Sequence, residues 1–292
     1  MPFNEQSRLD PSQVQDRRGR STGRRVAVGG GFGLVAIVVA LLLGVNPGDL
    51  LGMVGGQVAA PEQSMSEIGD LQAYCQTGAD ANERADCRIV GYVNSIQEFW
   101  SDEFYSHNIE YIPAQTVLFS GGTEGACGYA STATGPFYCP SDQMIYLDLD
   151  FFNTLTTRFG AEGGPFAEAY VLSHEYAHHV QNQLGLLDES IGYTSGPQSM
   201  AVYTELQADC FAGVWAHHAT ETGYLLPLTR DEVMQSLDAA AAVGDDRVQQ
   251  QSRGYVSPES WTHGSSEQRQ AAFLDGLESG DIYSCESPGW TE

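Results

Sequence analysis

The pattern of apolar and polar positions predicts one uncharged run followed by a body of mixed helices and strands. Residues 26–45 contain no charged side chain, and twenty residues in a helix span about 30 Å, the thickness of a bilayer core. Residues 89–104 place apolar side chains at helical spacing. Residues 115–119 and 143–150 are typical of strands, the second because apolar and polar positions alternate along it.

Further helices are predicted in the second half of the chain, and they cover residues 165–184, 197–220, 229–242 and 267–277. Thr229 is the expected N-cap of the third of these, and Glu232 completes a capping box with it. Between the two strands, residues 121–135 form a loop rich in glycine, which lacks the spacing of a phosphate-binding loop and is expected to be structural. The pattern as a whole predicts an α+β fold with a small sheet.

The charges are divided sharply between the two sides of the apolar run. All thirteen basic residues are arginines, and six of them lie before residue 26. The rest of the chain has seven arginines against 35 acidic residues, a formal charge of −28. Such a surface repels phosphates, so nucleic acid is excluded as a partner.

Arginines that precede an apolar run favour a cytoplasmic N-terminus and an exported body. The predicted order is a cytoplasmic, Arg-rich and disordered tail (residues 1–25), a transmembrane helix (26–45), a linker (46–65) and a folded domain (66–292). A cleaved signal peptide is the main alternative, although the nearest small-residue site, at residues 58–60, comes well after the run ends. The expected location is the cell membrane, with one span and the folded domain outside the cytoplasm.

Six cysteines lie beyond the apolar run, an even number that is typical of disulfides in an exported protein. None of them has C-x-x-C spacing, which disfavours a zinc knuckle or a redox motif. Six cysteines permit fifteen pairings. The simplest of these joins Cys75 to Cys87, Cys127 to Cys139 and Cys210 to Cys285.

Candidate chemistry lies on the helix predicted at residues 165–184. His174 and His178 are four residues apart, so they share one helix face and can bind one metal ion. Glu175 lies about 100° around the same turn, where it can act on a water molecule that the metal activates. The alternative is a pair of surface histidines, which the apolar flanks of the motif disfavour.

A catalytic zinc site needs a third protein ligand and an open position for water. Glu205 and Asp209 share a face of the next helix, so Glu205 would complete a site of two His and one Glu, with Asp209 orienting His174. A solvated acidic face is the alternative, but the neighbouring residues are apolar, and buried carboxylates need partners. His217 or His218 is the rival third ligand; His217 lies about 18 Å along the helix from Glu205, so both cannot bind one ion.

HEYAHHVQ at residues 174–181, followed by ELQADCFAG at 205–213, resembles the bacterial neutral zinc metallopeptidase family of single-span membrane proteins. The resemblance extends in order to CGYASTATGPFYCPSDQMIYLDLDFF, GDDRVQ and THGSSEQR, and it covers roughly residues 70–287 and the N-terminal anchor. It implies a zincin-like domain in which His174, His178 and Glu205 bind Zn²⁺ and Glu175 is the general base and acid. It also implies that His263 stabilises the oxyanion, although an ordinary hydrogen-bonded loop histidine is an equal alternative.

The resulting prediction is a membrane-anchored zinc metallopeptidase that hydrolyses peptides or proteins through a water that zinc and Glu175 activate. The strand at residues 144–150 is expected to align an extended substrate by accepting it as an added edge strand. Two alternatives use the same residues. One is a zinc-dependent amidase that acts on cell-wall peptides, and the other is a zincin-like binding protein without activity.

Overall fold

The computed structural model describes residues 2–19, 70–187 and 194–286. The predicted transmembrane helix (26–45) and linker (46–65) lie outside these residues. Within the described part of the chain, no helix is both long and apolar enough to cross a membrane. The described residues form an α+β body, as the sequence pattern predicts.

Nine α-helices and six strands make up the described part of the chain. The helices are α1 (Leu71–Tyr74), α2 (Gly78–Glu83), α3 (Ala85–Ser106), α4 (Asp150–Thr157), α5 (Pro165–Gln183), α6 (Met200–His218), α7 (Arg230–Ala242), α8 (Asp245–Arg253) and α9 (Ser266–Ser279). The strands are β1 (Val14–Asp16), β2 (Gln115–Phe119), β3 (Gly122–Gly125), β4 (Gly128–Ser131), β5 (Phe137–Cys139) and β6 (Met144–Asp148).

Four of the strands form one small sheet in the order β1-β2-β6-β5. β1, β2 and β6 run parallel, and β5 runs antiparallel to β6 with Tyr138 opposite Ile145. The expectation that residues 144–150 offer a free edge to substrate is wrong, because β6 lies between β2 and β5. Alternating side chains reveal which faces of a strand are buried, but they do not reveal its neighbours. The edge strand on this side is β5.

The predicted strands and helices are confirmed, with small changes at their ends. Residues 115–119 form β2 as predicted, and the helix predicted at 165–184 is α5. Thr229 caps α7 in a capping box with Glu232, as expected. The loop at residues 121–135 contains the β3–β4 hairpin, which the sequence pattern did not predict because its glycines hide the alternation.

The prediction of a disordered tail at residues 1–25 is wrong for residues 2–19. Phe3 is fully buried, Leu9 is 8% exposed, and Val14 is in β1, which pairs with β2 of the body. The polar, arginine-rich composition of residues 1–25 predicts disorder. These three buried apolar side chains lie six and five residues apart, a spacing that matches neither a helix nor a strand, and each packs on the body separately.

Helices α5, α6 and α9 position the candidate site. Helices α6 and α9 cross at two glycines, where a Cβ atom on Gly213 would lie 2.1 Å from the Phe273 carbonyl oxygen and one on Gly276 would lie 2.0 Å from the Cys210 carbonyl oxygen. Backbones that approach so closely leave room only for glycine. The crossing brings residues of α9 beside residues of α6 in the buried interior.

Three disulfides hold the body together, and they are the simplest pairing that the spacing suggested. Cys75 bonds Cys87, Cys127 bonds Cys139, and Cys210 bonds Cys285. The second joins the loop after β3 to the end of the edge strand β5. The third joins α6 to the last short helix of the described chain, Ile282–Glu286.

Candidate metal centre

Helix α5 carries the two candidate histidine ligands in the interior of the body. Pro165 occupies its first turn, where the missing N–H costs nothing, and most of the following residues are buried. His174 and His178 lie one turn apart, with ring centroids separated by 4.7 Å. The predicted histidine pair therefore faces one point, as the spacing requires.

The Nδ1–H group of each histidine donates a hydrogen bond to a buried acceptor. His174 Nδ1 donates to Asp209 Oδ1 at 2.8 Å, and His178 Nδ1 donates to Gln181 Oε1 at 2.8 Å. Gln181 cannot turn its amide around easily, because its Nε2 donates to the Thr204 carbonyl and to Gln207. Both imidazoles are therefore oriented with Nε2 toward the same space, the arrangement that metal-binding histidines use.

Glu205 of α6 reaches this space from the opposite side. Its carboxylate oxygens lie 3.2 Å from His174 Nε2 and 3.6 Å from His178 Nε2. One ligand atom from each of the three residues lies within 4.8 Å of the other two. Two imidazole nitrogens and one carboxylate are a donor set that suits Zn²⁺ with an open fourth position.

The rival histidines lie elsewhere on α6. His217 Nδ1 lies 2.7 Å from the Leu277 carbonyl oxygen, and His218 contacts Glu221 and stacks on Phe99. Neither takes part in the cluster with His174 and His178. Glu205 is the third member of the set, as the sequence analysis favoured.

Asp209 orients His174 and is itself held by two further side chains. It is fully buried, it accepts from Tyr170 Oη, and Arg269 Nε donates to its Oδ2 at 2.7 Å. Burial alone raises the pKa of a carboxyl group, but the charges of Arg269 and His174 lower the pKa of Asp209 to about 2. Burial likewise disfavours a charged His174, yet Asp209 raises the pKa of that imidazole to about 10 in the metal-free protein.

Glu175 follows His174 on α5 and contacts the edge strand of the sheet. Its Oε2 accepts a hydrogen bond of 2.9 Å from the backbone N–H of Tyr138 in β5. The Tyr138 hydroxyl in turn accepts from Asn182 Nδ2 on α5. The edge strand β5 is thus hydrogen-bonded to α5 at two residues, at Glu175, the predicted general base, and at Asn182.

His263 lies in the loop before α9, and one buried carboxylate fixes that loop. Asp245 Oδ2 accepts from the backbone N–H groups of residues 262, 263 and 264 at 2.8, 2.7 and 3.1 Å. His263 is only partly buried, at 22% exposure. Burial opposes its charged form, but the negative charges of Glu205 and Asp245 raise the pKa of His263.

Five residues of the site were not identified from the sequence: Tyr138, Tyr170, Gln181, Asp245 and Arg269. One signal pointed toward Arg269, since a buried Asp209 demands a cation and only seven arginines follow residue 25. Asp245 and Arg269 also lie in the GDDRVQ and THGSSEQR stretches that carried the family resemblance. Tyr138 contributes a backbone N–H, for which side-chain chemistry gives no signal.

Comparison with known proteins agrees with this geometry. A family model described as "Putative neutral zinc metallopeptidase" matches residues 3–288. An uncharacterized protein of Mycobacterium tuberculosis is 46% identical over 255 residues, which cover 85% of this chain and 84% of the relative. An uncharacterized protein of Escherichia coli K12 is 35% identical over 297 residues, with 97% of this chain and 98% of the relative covered.

No solved structure matches the chain. The family match nevertheless includes every residue of the His174, His178 and Glu205 cluster and leaves out only the chain ends. The chain belongs to the neutral zinc metallopeptidase family.

Proposed function

We propose that this protein is a zinc metallopeptidase that hydrolyses peptide bonds in peptides or proteins. The observation that supports this most strongly is the convergence of His174, His178 and Glu205 within 4.8 Å of one another, with Glu175 on the same turn as the first histidine. A site that served only the fold would not need three oriented ligand groups with a further carboxylate beside them. When bound there, zinc would polarise the scissile carbonyl and make a water molecule more acidic.

Glu175 is the proposed general base and acid. Its carboxylate takes a proton from the attacking water and passes it to the leaving amine. The hydrogen bond from Tyr138 N–H holds one of its oxygens, Oε2, and so fixes the direction in which the other oxygen points. This contact positions the base before substrate arrives.

The edge strand β5 is the proposed track for the substrate backbone. Among the strands that the structure describes, β5 pairs only with β6, so no strand covers its outer edge. An added strand would pair there with backbone groups other than the Tyr138 N–H, which donates to Glu175. Tyr138 N–H points away from β6 and toward Glu175, which places this edge beside the proposed base. A peptide that pairs with β5 would pass directly over the site.

His263 is proposed to donate to the oxyanion that forms on the attacked carbonyl. Asp245 accepts hydrogen bonds from the backbone N–H groups of residues 262, 263 and 264, so the loop fixes the position of the His263 imidazole. Its Nδ1 lies 3.0 Å from Thr262 Oγ1, and 3.6 Å from Asp245 Oδ1. These contacts leave Nε2 for the substrate.

Residues 26–45 are proposed to anchor this enzyme in the cell membrane, with the catalytic domain outside the cytoplasm. Three disulfides support an oxidising compartment. The sheet sets a condition on this location. Because β1 pairs with β2, residues 2–19 lie on the same side of the membrane as the catalytic domain, so the anchor is proposed without the cytoplasmic N-terminus that a single crossing by residues 26–45 would require.

The test of the proposed function compares the full chain with its Glu175→Gln variant. We expect about one zinc per chain in both proteins, since Glu175 is not a ligand, and a loss of peptide hydrolysis of at least about 10²-fold in the variant. Glu98→Gln, at an exposed position of α3, is the matched control and should keep full activity. Wild-type protein that binds no zinc would refute the proposal, and zinc-loaded protein without hydrolysis would indicate a binding protein.

A further inference from the structure

Residues 2–18, here called the N-terminal segment, lie in a long groove of the body. The segment runs past α2 and α3 and ends as β1 beside β2. It contains no cysteine, so no disulfide attaches it. Its covalent link to the rest of the body is the stretch of residues 19–69, and every other attachment is a contact of its own side chains and backbone.

Phe3 occupies a socket that two features of α3 shape. It is fully buried, and its ring packs on Tyr92 with a centroid distance of 4.9 Å. A Cβ atom on Gly91 would lie 2.3 Å from the Phe3 ring, so only glycine at that position leaves space for the aromatic side chain. Gly78 makes room in the same way, since a Cβ there would lie 2.0 Å from the Asn4 carbonyl oxygen.

Two asparagines of the body bind the backbone of the segment in both directions. Asn82 accepts from Phe3 N–H at 2.7 Å and donates to the Phe3 carbonyl at 3.1 Å. Asn94 does the same for Asp10, accepting from its N–H at 2.8 Å and donating to its carbonyl at 3.0 Å. Such paired amide contacts are how a protein recognises an extended peptide without regard to its side chains.

The far end of the segment is held by strand pairing and by charge. Val14, Gln15 and Asp16 pair in parallel with residues 116–118 of β2. Beyond them, Arg18 donates to Asp16 at 2.7 Å and to Asp86 of α3 at 3.1 Å. The groove therefore grips its occupant at a buried aromatic ring, at two backbone clamps, along one strand and at one ion pair.

We propose that the N-terminal segment is an intramolecular peptide ligand, held in the groove of its own chain by non-covalent contacts that are sufficient without the connecting residues. The groove is thus an interaction surface whose partner is an extended peptide with an aromatic side chain in the pocket that Phe3 occupies. The family match begins at residue 3, so it includes this segment and not only the metal centre.

The docked segment is also connected, through α3, to the helix that carries the histidines of the metal centre. Tyr92, which packs on Phe3, donates from its hydroxyl to the Pro165 carbonyl at the start of α5. Arg88 of α3 forms an ion pair of 2.9 Å with Glu168 in the first turn of α5. The segment therefore packs on α3, which contacts the beginning of the helix carrying His174 and His178.

The experiment removes the connection and asks whether the segment stays. Recognition sites for a sequence-specific protease are inserted after Arg20 and after Gln63 of the full chain, and the purified protein is cut under native conditions. Size-exclusion chromatography followed by mass spectrometry then shows which fragments remain together. We expect the segment to elute with the wild-type body, and a segment that separates from it would overturn the proposal.

Two variants and one control distinguish docking from general stickiness. Gly91→Ala fills the Phe3 socket while improving the helix propensity of α3, so the body should fold and the cut segment should be lost. Phe3→Ala removes the ring that fills the same pocket, so the cut segment of this variant should also separate from the body. Glu5→Ala, at an exposed position of the segment, should behave as the wild type.

Retention of the segment by the Gly91→Ala body at the wild-type level would overturn the proposal. Exchange of the segment between copies of the chain would also overturn the proposal. It would be detected by expressing tagged and untagged chains together and finding an untagged segment bound to a tagged body. Because the wild-type protein is tested without any substitution, a variant that fails to fold does not remove the test.

Discussion

At His174 and His178, the partner of one ring nitrogen decides what the other nitrogen can do. Asp209 and Gln181 take the two Nδ1–H groups, so both Nε2 atoms face Glu205. The two Nδ1 partners differ in charge, because Asp209 is an ionised carboxylate that pairs with Arg269, whereas Gln181 is neutral. His174 therefore feels a negative charge that His178 does not.

The raised pKa of His174 predicts that zinc binding releases a proton. Asp209 raises this pKa from 6.5 to about 10 in the metal-free protein, so the imidazole is protonated at pH 7 and must lose its proton to become a ligand. Calorimetric titration with zinc in buffers of different ionisation enthalpy measures this release, and we expect about one proton from His174 at pH 7. Asp209→Asn should release less, because the cause of the shift is gone. Equal release by both proteins would contradict the expectation.

The same shift sets a pH dependence for the stability of the metal-free protein. A pKa that is higher in the folded state than in the unfolded state contributes stability that is complete below about pH 6.5. That contribution is lost as the pH rises through about 10. Chemical unfolding of zinc-free protein between pH 6 and pH 10 should therefore show a progressive fall in the free energy of unfolding that zinc-loaded protein lacks.

The role of His263 can be separated from zinc binding by substitution. His263→Ala should lower kcat by about 10²–10³-fold, the effect of losing one oxyanion donor, and leave the zinc content unchanged. His107→Ala, in the exposed residue that ends α3, is the control and should keep wild-type kcat. A variant at residue 263 with wild-type kcat would identify this side chain as an ordinary loop histidine.

At the scale of elements, the site depends on how three helices are placed. Helix α5 carries the two histidines and Glu175, α6 carries Glu205 and Asp209, and α9 carries Arg269. Each helix has its own sequence signals for starting and stopping, but the distance between α6 and α9 is set by Gly213 and Gly276. This crossing determines whether Arg269 reaches Asp209.

Gly276→Ala should therefore destabilise the protein more than a helix substitution normally does. The added methyl group would meet the Cys210 carbonyl oxygen at 2.0 Å, and overpacking of this kind costs typically about 1–3 kcal/mol or more. Urea unfolding measures the loss. Glu278→Ala, at an exposed position of the same helix, is the control and should change stability by no more than about 0.5 kcal/mol. A Gly276→Ala protein as stable as the wild type would show that the helices can move apart freely.

At the scale of the whole molecule, β1 joins the N-terminal segment to the sheet of the body. A single membrane crossing between residues 19 and 70 would place the N-terminal segment and the catalytic domain on opposite sides. The pairing of β1 with β2 requires them on the same side. The predicted topology, with a cytoplasmic N-terminus and an external domain, does not meet this requirement, so the β1–β2 pairing and a single membrane crossing exclude one another.

Thiol labelling in intact cells tests the requirement. All six native cysteines form disulfides, so a single introduced cysteine is the only free thiol. Gln6→Cys and Glu278→Cys place it at exposed positions of the N-terminal segment and of the domain. A membrane-impermeant maleimide should label both variants or neither, and labelling of only one would contradict the shared sheet.

The sequence by itself determined the local features of this protein. Helical period and caps gave α5 and α7, alternation gave β6, and spacing of four residues placed His174 and His178 on one face, because each of these depends on neighbours along the chain. The closest cysteine pairs and the buried setting of Asp209 could be inferred for the same reason.

Only the tertiary structure decided which distant groups meet. It placed β5 at the edge of the sheet instead of β6, brought Arg269 to Asp209 and Asp245 to the His263 loop, and docked residues 2–18 on the body. Apart from the β5–β6 pairing, these contacts join residues 17 or more positions apart, which no periodic pattern along the chain predicts. They are fixed by burial, hydrogen bonding and charge pairing in three dimensions, where a buried polar group must find a partner wherever the fold supplies one.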